Sequence, residues 1–413
     1  MKKVFNMFYE IYRKQILFAL FALYVFLGVS KYSTLLNFSY WRIVINISEC
    51  IIAGILVIYL VTDLINHKFY VTWYLFFGVI CALVPVFTAG TTSLCFFLAF
   101  AYVFKGIEFK EISSIFAIIM FCSIAIIACF AGFGLIENLI IMRGDITRRC
   151  LGFSSATSAS QFFMLAVLAY NYSRQENIKI AELTFEFFAI ACIYCETNTR
   201  LSFAFVTLII LWSLALKYLK RLNQKISKFF TKHNKCFSIL FSLLPGLVVL
   251  FFGILVLLYD NDFSFIYKLD KFFSYRIVLT KNAFANLPIK LFGSRLNSYD
   301  AYGTFVGVDS GFYQYLFVYG AIPTVFIMFT MIYIYYKGFR TQNYKLCFCL
   351  SLLCFDFMLG SSFIHAWQNV FILIIATLGT DMLFNEKYKV LLVKHKNMNN
   401  SLEEDKIIQK EEK

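Results

Sequence analysis

The sequence predicts an all-α fold: a polytopic transmembrane helical bundle of about twelve spans, with one large external loop between spans nine and ten. Three observations predict this class. Of the 413 residues, 60% are hydrophobic and 15% are charged, whereas soluble chains carry about 25% charged residues. The apolar residues fall into runs close to the length of about 20 that crosses the hydrocarbon layer as a helix. Proline, which interrupts helices, occurs only 4 times.

Twelve segments are predicted to cross the membrane, of which the fourth and the seventh are short. No small-residue cleavage site follows the first apolar run, Gln15 to Val29, so we expect it to stay as an anchor. The predicted spans are 16–30, 42–62, 70–88, 91–104, 114–133, 154–173, 181–196, 201–217, 237–259, 312–336, 344–362 and 367–384.

The distribution of basic residues predicts the orientation. An even number of spans places both termini on one side, and that side carries 26 Lys and Arg residues against 12 on the other. Because cytoplasmic loops of membrane proteins carry the excess of Lys and Arg, we expect both termini and the basic loop 217–235 to be cytoplasmic. The net charge of +14 then reflects topology, and no nucleic-acid partner is expected.

Arginine does not follow this rule. The predicted topology places most of the 27 Lys residues inside but 7 of the 11 Arg residues on or near the outer face. The guanidinium group is planar, stays charged and binds phosphate bidentately, so this excess indicates an anionic ligand such as pyrophosphate. Contacts with solvent or lipid headgroups are the alternative for each single side chain. The outer arginines are Arg42, Arg143, Arg148, Arg149, Arg200, Arg276 and Arg295.

The chain therefore divides into four regions. Residues 1–259 hold spans one to nine, 260–311 form the external loop, 312–384 hold spans ten to twelve, and 385–413 form a charged cytoplasmic tail. Ordered loops of this length are usually functional. Within the loop, residues 267–285 have apolar positions at helical spacing, which predicts helix lying along the membrane surface.

Signatures of soluble enzymes are absent from the sequence. It contains no Gly-rich phosphate loop followed by Lys and Ser or Thr, and no HExxH motif. The 4 His residues are scattered, and most of the 12 Cys residues lie inside apolar runs, where Cys behaves as a small hydrophobe. We therefore expect no metal, no cofactor and no disulfide framework.

Five polar motifs remain, all at predicted external ends of spans. They are RRCLGFSSATSAS (148–160), TNTRLSF (197–203), SYRIVLTKNAF with LFGSR (274–295), VDSGFYQYLFVYGAIP (308–323) and QNVFIL (368–373). Together these motifs resemble, in order and spacing, the Wzy-type polysaccharide polymerases, which are related to the O-antigen ligases. The resemblance covers about residues 140–375. Two departures stand out: Ser154-Ser155-Ala156 replaces the family's His-Pro-Asn, and Asp309 stands where related ligases carry His.

The resemblance implies glycosyl transfer on the outer face of a bacterial plasma membrane. Undecaprenyl-pyrophosphate-linked oligosaccharides would be donor and acceptor, and the product would be O-antigen, capsule or exopolysaccharide. The donor is already activated, so no ATP motif is needed. The family also implies a chain-length regulator and a flippase as partners. An O-antigen-type ligase is the nearest alternative, and a transporter or flippase of the same lipid-linked repeat is the alternative from another class.

The motifs give six candidate site residues. The predicted pyrophosphate ligands are Arg149, Arg200, Arg276 and Arg295, with Arg148 as a competitor for the role of Arg149. Asp309 and His365 are the predicted catalytic residues. Asp309 could instead cap the helix that follows it, because Asp is a preferred N-cap residue. His365 could equally be a polar side chain satisfied at the interface.

Overall fold

A computed structural model of the chain describes residues 2–65, 73–143, 145–174, 177–259, 264–273, 275–295, 308, 310–360 and 365–378. These residues are mostly helical. Two short 3₁₀ helices cover Thr34–Asn37 and Val370–Ile374, and one antiparallel hairpin pairs strands β1 (Ile140–Arg143) and β2 (Ile146–Arg149). The α-helices are α1 Lys2–Ser30, α2 Ser39–Ile65, α3 Trp73–Thr88, α4 Ser93–Val103, α5 Phe109–Gly132, α6 Ser158–Arg174, α7 Ile180–Thr197, α8 Arg200–Tyr218, α9 Lys220–Lys232, α10 Asn234–Ser242, α11 Leu244–Leu257, α12 Ser264–Phe272, α13 Arg276–Asn286, α14 Gly311–Tyr319, α15 Ala321–Arg340, α16 Tyr344–Leu359 and α17 Ile375–Leu378.

Six helical segments in the described part of the chain are long and apolar enough to cross a membrane. Two shorter apolar helices, Leu75–Thr88 and Ser93–Val103, accompany them. The chain is thus a mostly helical protein with membrane-compatible helices, as the composition predicts. The six segments are Tyr12–Ser30, Ser39–Ile65, Phe109–Gly132, Arg200–Tyr218, Asn234–Leu257 and Ala321–Arg340.

Helix α2 shows the expected character of a lipid-facing element. Its side chains at Ile47, Ile51 and Ile58 are more than half exposed and recur at the spacing of one helical face. A soluble protein seldom exposes a continuous apolar face of this kind, whereas in a bilayer the acyl chains cover it.

Aromatic side chains fill much of the space between the helices. On α1, the Phe21 ring meets those of Phe100 and Phe104, with centroids 5.2 Å away in both cases. The Phe121 and Phe163 rings join α5 to α6 with centroids 5.3 Å apart. Edge and tilted pairs at these distances add attraction beyond the burial of area, which explains how a Phe-rich chain holds its helices together.

The bundle has two ends, and we call the end where α1 stops at Ser30 and the β-hairpin lies the hairpin end. Ion pairs occur at both ends. At the hairpin end, Lys31 contacts Glu49 at 2.6 Å and Arg149 contacts Glu196 at 3.3 Å. At the opposite end, Arg13 contacts Asp63 at 3.0 Å and Arg174 contacts Glu182 at 2.8 Å.

Helical segments overlap the predicted spans, but in the described part of the chain six of them are long and apolar enough to cross a membrane, not twelve. The predicted span 237–259 is divided into α10 and α11, and the predicted span 367–384 contains the 3₁₀ helix Val370–Ile374 and the short α17. Three further differences follow. The predicted span 312–336 is two helices, α14 and α15, that meet at Gly320. The hairpin was not predicted from the sequence. The external-loop helix expected over 267–285 is present as α12 and α13, separated at Tyr275. The predicted tail 385–413 lies outside the described residues, as do parts of spans three, eleven and twelve.

Candidate functional site

The hairpin carries the first pair of predicted arginines, and its two members differ sharply. Arg148 is buried, and its Nε donates a hydrogen bond of 2.6 Å to the backbone carbonyl oxygen of Thr197 at the end of α7. Burial and the nearby charge of Arg143 lower the pKa of Arg148. Arg149 points outward, with its side chain 59% exposed. Arg148 thus ties the hairpin to α7, whereas Arg149 is exposed and paired with Glu196.

Arg200 lies beside this hairpin at the first residue of α8. The preceding turn contains Asn198 in the left-handed conformation, with φ of 49°. Glu196 on the same turn contacts Nη1 of Arg149 at 3.3 Å. Arg149 and Arg200 thus reach the same corner of the hairpin end, and Arg200 is exposed there.

The segment after Arg149 holds the hairpin against the rest of the bundle. Leu151 and Gly152 both have positive φ, 53° and 80°. A Cβ on Gly152 would lie 3.0 Å from the carbonyl oxygen of Ile127 in α5, so glycine is required for this close approach. The Gly152 carbonyl oxygen accepts a bond of 2.9 Å from the amide of Thr34. The Leu-Gly-Phe motif is thereby a backbone support for the arginines beside it.

Arg276 is the first residue of α13 and follows another strained position, Tyr275, with φ of 64°. The buried carboxylate of Asp270 fixes this turn by accepting a 2.8 Å bond from the Ile277 amide, and burial raises the pKa of Asp270. Asp270 therefore fixes the turn at which Arg276 begins α13.

Arg295 ends a segment that packs on the junction of α14 and α15. A Cβ on Gly320 would lie 2.2 Å from the amide nitrogen of Gly293, so the two glycines allow their backbones to touch. The Thr88 hydroxyl donates a 2.6 Å bond to the carbonyl oxygen of Phe292. These contacts place the Arg295 guanidinium over Gly90, where a Cβ would meet its Nε at 3.1 Å.

His365 lies in the segment after α16 and contacts Ser93, where the α3–α4 loop ends. Arg295 contacts the same loop at Gly90. The Nδ1 atom of His365 is 2.5 Å from the hydroxyl of Ser93, the first residue of α4. The ring stacks on Trp367, with centroids 5.6 Å apart and an interplanar angle of 25°. Burial and the positive charge of Lys31 lower the pKa of His365 to about 4, so the imidazole is neutral at physiological pH.

An apolar cavity of about 700 Å³ runs along α15. Its lining extends from Ile322 to Tyr336, which corresponds to about 20 Å of helix. The amide of Ile322 donates a 3.0 Å bond to the Leu291 carbonyl oxygen, so the Ile322 end of the cavity adjoins the segment that ends at Arg295. The other lining residues come from α3, α10 and α15 and include Phe77, Cys81, Ser242, Phe326, Phe329 and Tyr333.

The structure thus distributes the four predicted arginines over three places at the hairpin end. Arg149 and Arg200 lie beside the turn that precedes α8, and Arg276 is the first residue of α13. Arg295 and His365 contact the α3–α4 loop and the start of α4. Asp309 lies outside the described residues. Its neighbour Ser310 directly precedes α14, which begins at Gly311.

Sequence reasoning missed the polar residues that support His365. Thr91 and Ser93 lie between two apolar helices, and Tyr319 ends α14. The Thr-Thr-Ser run at 91–93 was the available signal, because three hydroxyl residues interrupt a long apolar stretch. The 12 cysteines are free thiols, and no group of three metal-ligating side chains occurs among residues that the structure describes.

Fold and site define the class of protein as a helical membrane-type chain with an arginine-rich end next to an apolar cavity. No known family model, no curated protein and no solved structure matches the chain.

Proposed function

We propose that the chain is a metal-independent glycosyltransferase of the Wzy type, which polymerises undecaprenyl-pyrophosphate-linked oligosaccharide repeats into a cell-surface polysaccharide. One observation carries this proposal: the four arginines of the motifs lie at one end of the bundle, with Arg149, Arg200 and Arg295 exposed there. Guanidinium groups stay charged and bind phosphate oxygens bidentately.

The membrane arrangement belongs to the same proposal. Twelve spans with both termini in the cytoplasm put the hairpin end on the outer face of a bacterial plasma membrane. The charge distribution along the sequence supports this orientation, since 26 basic residues fall on one side and 12 on the other. Lipid-linked repeats are delivered to that outer face, where the arginines then meet the pyrophosphate groups.

The chemistry is a displacement at the anomeric carbon of the donor glycan. A hydroxyl at the non-reducing sugar of the acceptor repeat attacks this carbon, the carbon–oxygen bond to pyrophosphate breaks, and undecaprenyl pyrophosphate leaves. Fixed arginines stabilise the charge that develops on the leaving group. The hydroxyl proton goes to a base, for which Asp309 is the proposed carboxylate.

The apolar cavity along α15 suits the lipid part of the donor. An isoprenoid chain lying from Ile322 toward Tyr336 would have its pyrophosphate at the Arg295 segment, because the Leu291 carbonyl joins the two places. An apolar cavity matches a lipid tail, whereas a sugar nucleotide would leave its polar groups without hydrogen-bond partners there. The cavity thereby supports a long-chain lipid substrate over a soluble sugar nucleotide.

Deleting the gene in its native host and separating the glycans by size tests the proposal. Loss of the ladder with a single repeat still attached is the expected result. Loss of every glycan-bearing product would instead indicate a ligase or a flippase. Purified protein in liposomes must also extend lipid-linked repeats without ATP. Arg340→Ala is the matched control for the arginine variants, because Arg340 is exposed at the opposite end of the bundle.

A further inference from the structure

His365 is the end of a chain of three hydroxyl groups. The Tyr319 hydroxyl lies 2.8 Å from that of Thr91, the Thr91 hydroxyl donates to Ser93 at 3.5 Å, and Ser93 meets Nδ1 of His365 at 2.5 Å. Tyr319 and Ser93 are buried. Each hydroxyl has a single proton to donate, so the direction of the chain can be worked out from one bond.

The direction is set at Thr91. The Thr91 hydroxyl donates its single proton to Ser93, so in the bond between Tyr319 and Thr91 the Tyr319 hydroxyl is the donor. A buried hydroxyl proton left without an acceptor is costly, so the proton of Ser93 also needs an acceptor. The closest acceptor left for the Ser93 proton is Nδ1 of His365. A neutral imidazole that accepts at Nδ1 carries its proton on Nε2.

Arg295 is fixed on the same loop by a separate set of contacts. Its guanidinium covers Gly90, three residues before Ser93, and its segment is tied to Thr88 through Phe292. The permanent cation and the imidazole thus contact positions three residues apart, Gly90 and Ser93, where the α3–α4 loop meets α4. A cation combined with a neutral N–H donor is suited to the oxygens of a phosphate group.

We propose that His365 is a neutral hydrogen-bond donor, with its proton on Nε2, and that it binds the pyrophosphate of the lipid-linked donor together with Arg295. This assignment rests on the proposed function for the identity of the ligand. It differs from the role of a base, because an imidazole with a protonated Nε2 and an engaged Nδ1 cannot take the acceptor proton. Ser93 is then a positioning residue that holds the tautomer.

The low pKa agrees with this role. With a pKa of about 4, the ring remains uncharged across the physiological range, and Lys31, which lies close enough to act on it, disfavours a second positive charge. The stacked Trp367 keeps the plane of the imidazole fixed. If Ser93 is removed, a neutral imidazole is no longer held in the tautomer that donates from Nε2. An imidazolium carries protons on both nitrogens and would donate from Nε2 without Ser93.

The tautomer is measured directly by nuclear magnetic resonance on full-length protein in lipid nanodiscs, with histidine labelled in ¹³C and ¹⁵N. The His365 signals are those missing from His365→Gln. We expect the Nε2-protonated form at pH 7, converting to a tautomer mixture in Ser93→Ala. Ser123→Ala is the control, because the Ser123 hydroxyl bonds within its own helix. An Nδ1-protonated ring or an imidazolium at pH 7 would overturn the assignment.

Binding is tested with two probes, inorganic pyrophosphate and farnesyl pyrophosphate. Both should shift the His365 ring signals in the wild type and leave them unchanged in Arg295→Gln. A response to farnesyl pyrophosphate alone would place the lipid in the site, and a response to both would identify the phosphates as sufficient. Signals that do not respond to either probe would refute the phosphate site.

The rate at which variants extend lipid-linked repeats distinguishes a hydrogen-bond donor role of His365 from the role of a general base. Gln places an amide N–H near the position of Nε2, so His365→Gln should stay within about tenfold of wild type, whereas His365→Asn should fall about a hundredfold. Equal loss in both variants would contradict the donor role. If the wild-type protein extends no repeats at all, the proposed function fails, while the tautomer and the probe titrations still decide the assignment of His365.

Discussion

Arg148 and Thr197 are joined by a hydrogen bond of 2.6 Å between the guanidinium Nε and the backbone carbonyl oxygen. This contact connects the hairpin to the turn that precedes α8. Because Arg148 is buried, the bond is structural, and the adjacent Arg149 keeps its side chain in the open. Two neighbouring arginines on one strand thus have separable roles.

The first prediction separates these roles. Arg148→Ala should lower the free energy of unfolding by about 1–3 kcal/mol, because it leaves the Thr197 carbonyl without its donor. Arg149→Ala removes an exposed ion pair with Glu196 and should cost about 0–1 kcal/mol, while it reduces chain extension. Thermal unfolding in detergent and a repeat-extension assay measure the two effects. Equal destabilisation by both variants would show that the roles are not separable.

The extent to which the sequence predicts the molecule follows from the range of the interactions involved. Helices such as α2 and α5 depend on local apolar content, and the sequence predicts them well. The division of the predicted span 312–336 at Gly320 does not follow from local apolar content, because it depends on the backbone of Gly293 packing against Gly320. The hairpin had a local signal, Gly144-Asp145 between two β-favouring segments, but its short strands are hidden among longer apolar runs.

The candidate site shows the same division. The outer arginines could be identified because their asymmetry is a property of the whole sequence. The burial of Arg148 could not be predicted, because it depends on the packing of the hairpin against α7, where Arg148 bonds to the Thr197 carbonyl oxygen. The partner of His365 was equally hidden: Ser93 lies 272 residues away along the chain, and only the packing of α4 against the segment after α16 brings the two together.

A second prediction concerns the glycine contact that positions Arg295. Gly293 has φ of 70°, and a Cβ there would lie 1.9 Å from the Val318 carbonyl oxygen. Gly293→Ala should therefore destabilise the protein by more than about 1 kcal/mol and displace Arg295, with loss of chain extension. Gly54→Ala is the control, since a Cβ on Gly54 in α2 meets open space, and Ala favours helix by about 1 kcal/mol. A thermally stable, active Gly293→Ala variant would contradict this positioning.

The third prediction is the topology. Cysteines introduced at Asn297 and Asn223 should be labelled differently by a membrane-impermeant thiol reagent. Asn297→Cys should react in intact cells and Asn223→Cys only after the membrane is permeabilised, because the proposed orientation puts the external loop outside and the basic loop in the cytoplasm. Labelling of the second but not the first in intact cells would reverse the orientation. The background for the experiment lacks the exposed native cysteines, which are Cys50, Cys122, Cys129, Cys192, Cys195 and Cys236.

The fourth prediction concerns the identity of the basic groups. Lys is a point charge without the planar fork of Arg, so Arg200→Lys and Arg276→Lys should each lose most chain extension while the protein accumulates normally in the membrane. Arg340→Lys at the opposite end of the bundle should be fully active. Quantitative glycan gels together with immunoblots of membrane fractions give both readings. Normal chain extension by both Arg200→Lys and Arg276→Lys would show that these two positions need only a positive charge, which Lys also supplies.

The fifth prediction concerns Asp309, for which capping and catalysis lead to opposite results. An N-cap needs a side-chain oxygen that accepts a hydrogen bond, and Asn supplies one. Ser310 stands directly before Gly311, the first residue of α14, but its side chain makes no capping hydrogen bond, so the loss of a cap is tested at Asp309 itself. A general base must take a proton, which an Asn amide cannot do, and a base contributes about a hundredfold to ten-thousandfold in rate.

Asp309→Asn should therefore leave expression and thermal stability nearly unchanged and lower the rate of polymerisation at least about a hundredfold. The rate is measured with purified protein and lipid-linked repeats, because long growth of cells can hide a slow enzyme. Ser310→Ala is the matched control for the helix start and should polymerise at close to the normal rate. If Asp309→Asn turns over as fast as this control, the carboxylate takes no proton in the reaction, and the base must be sought elsewhere at the hairpin end.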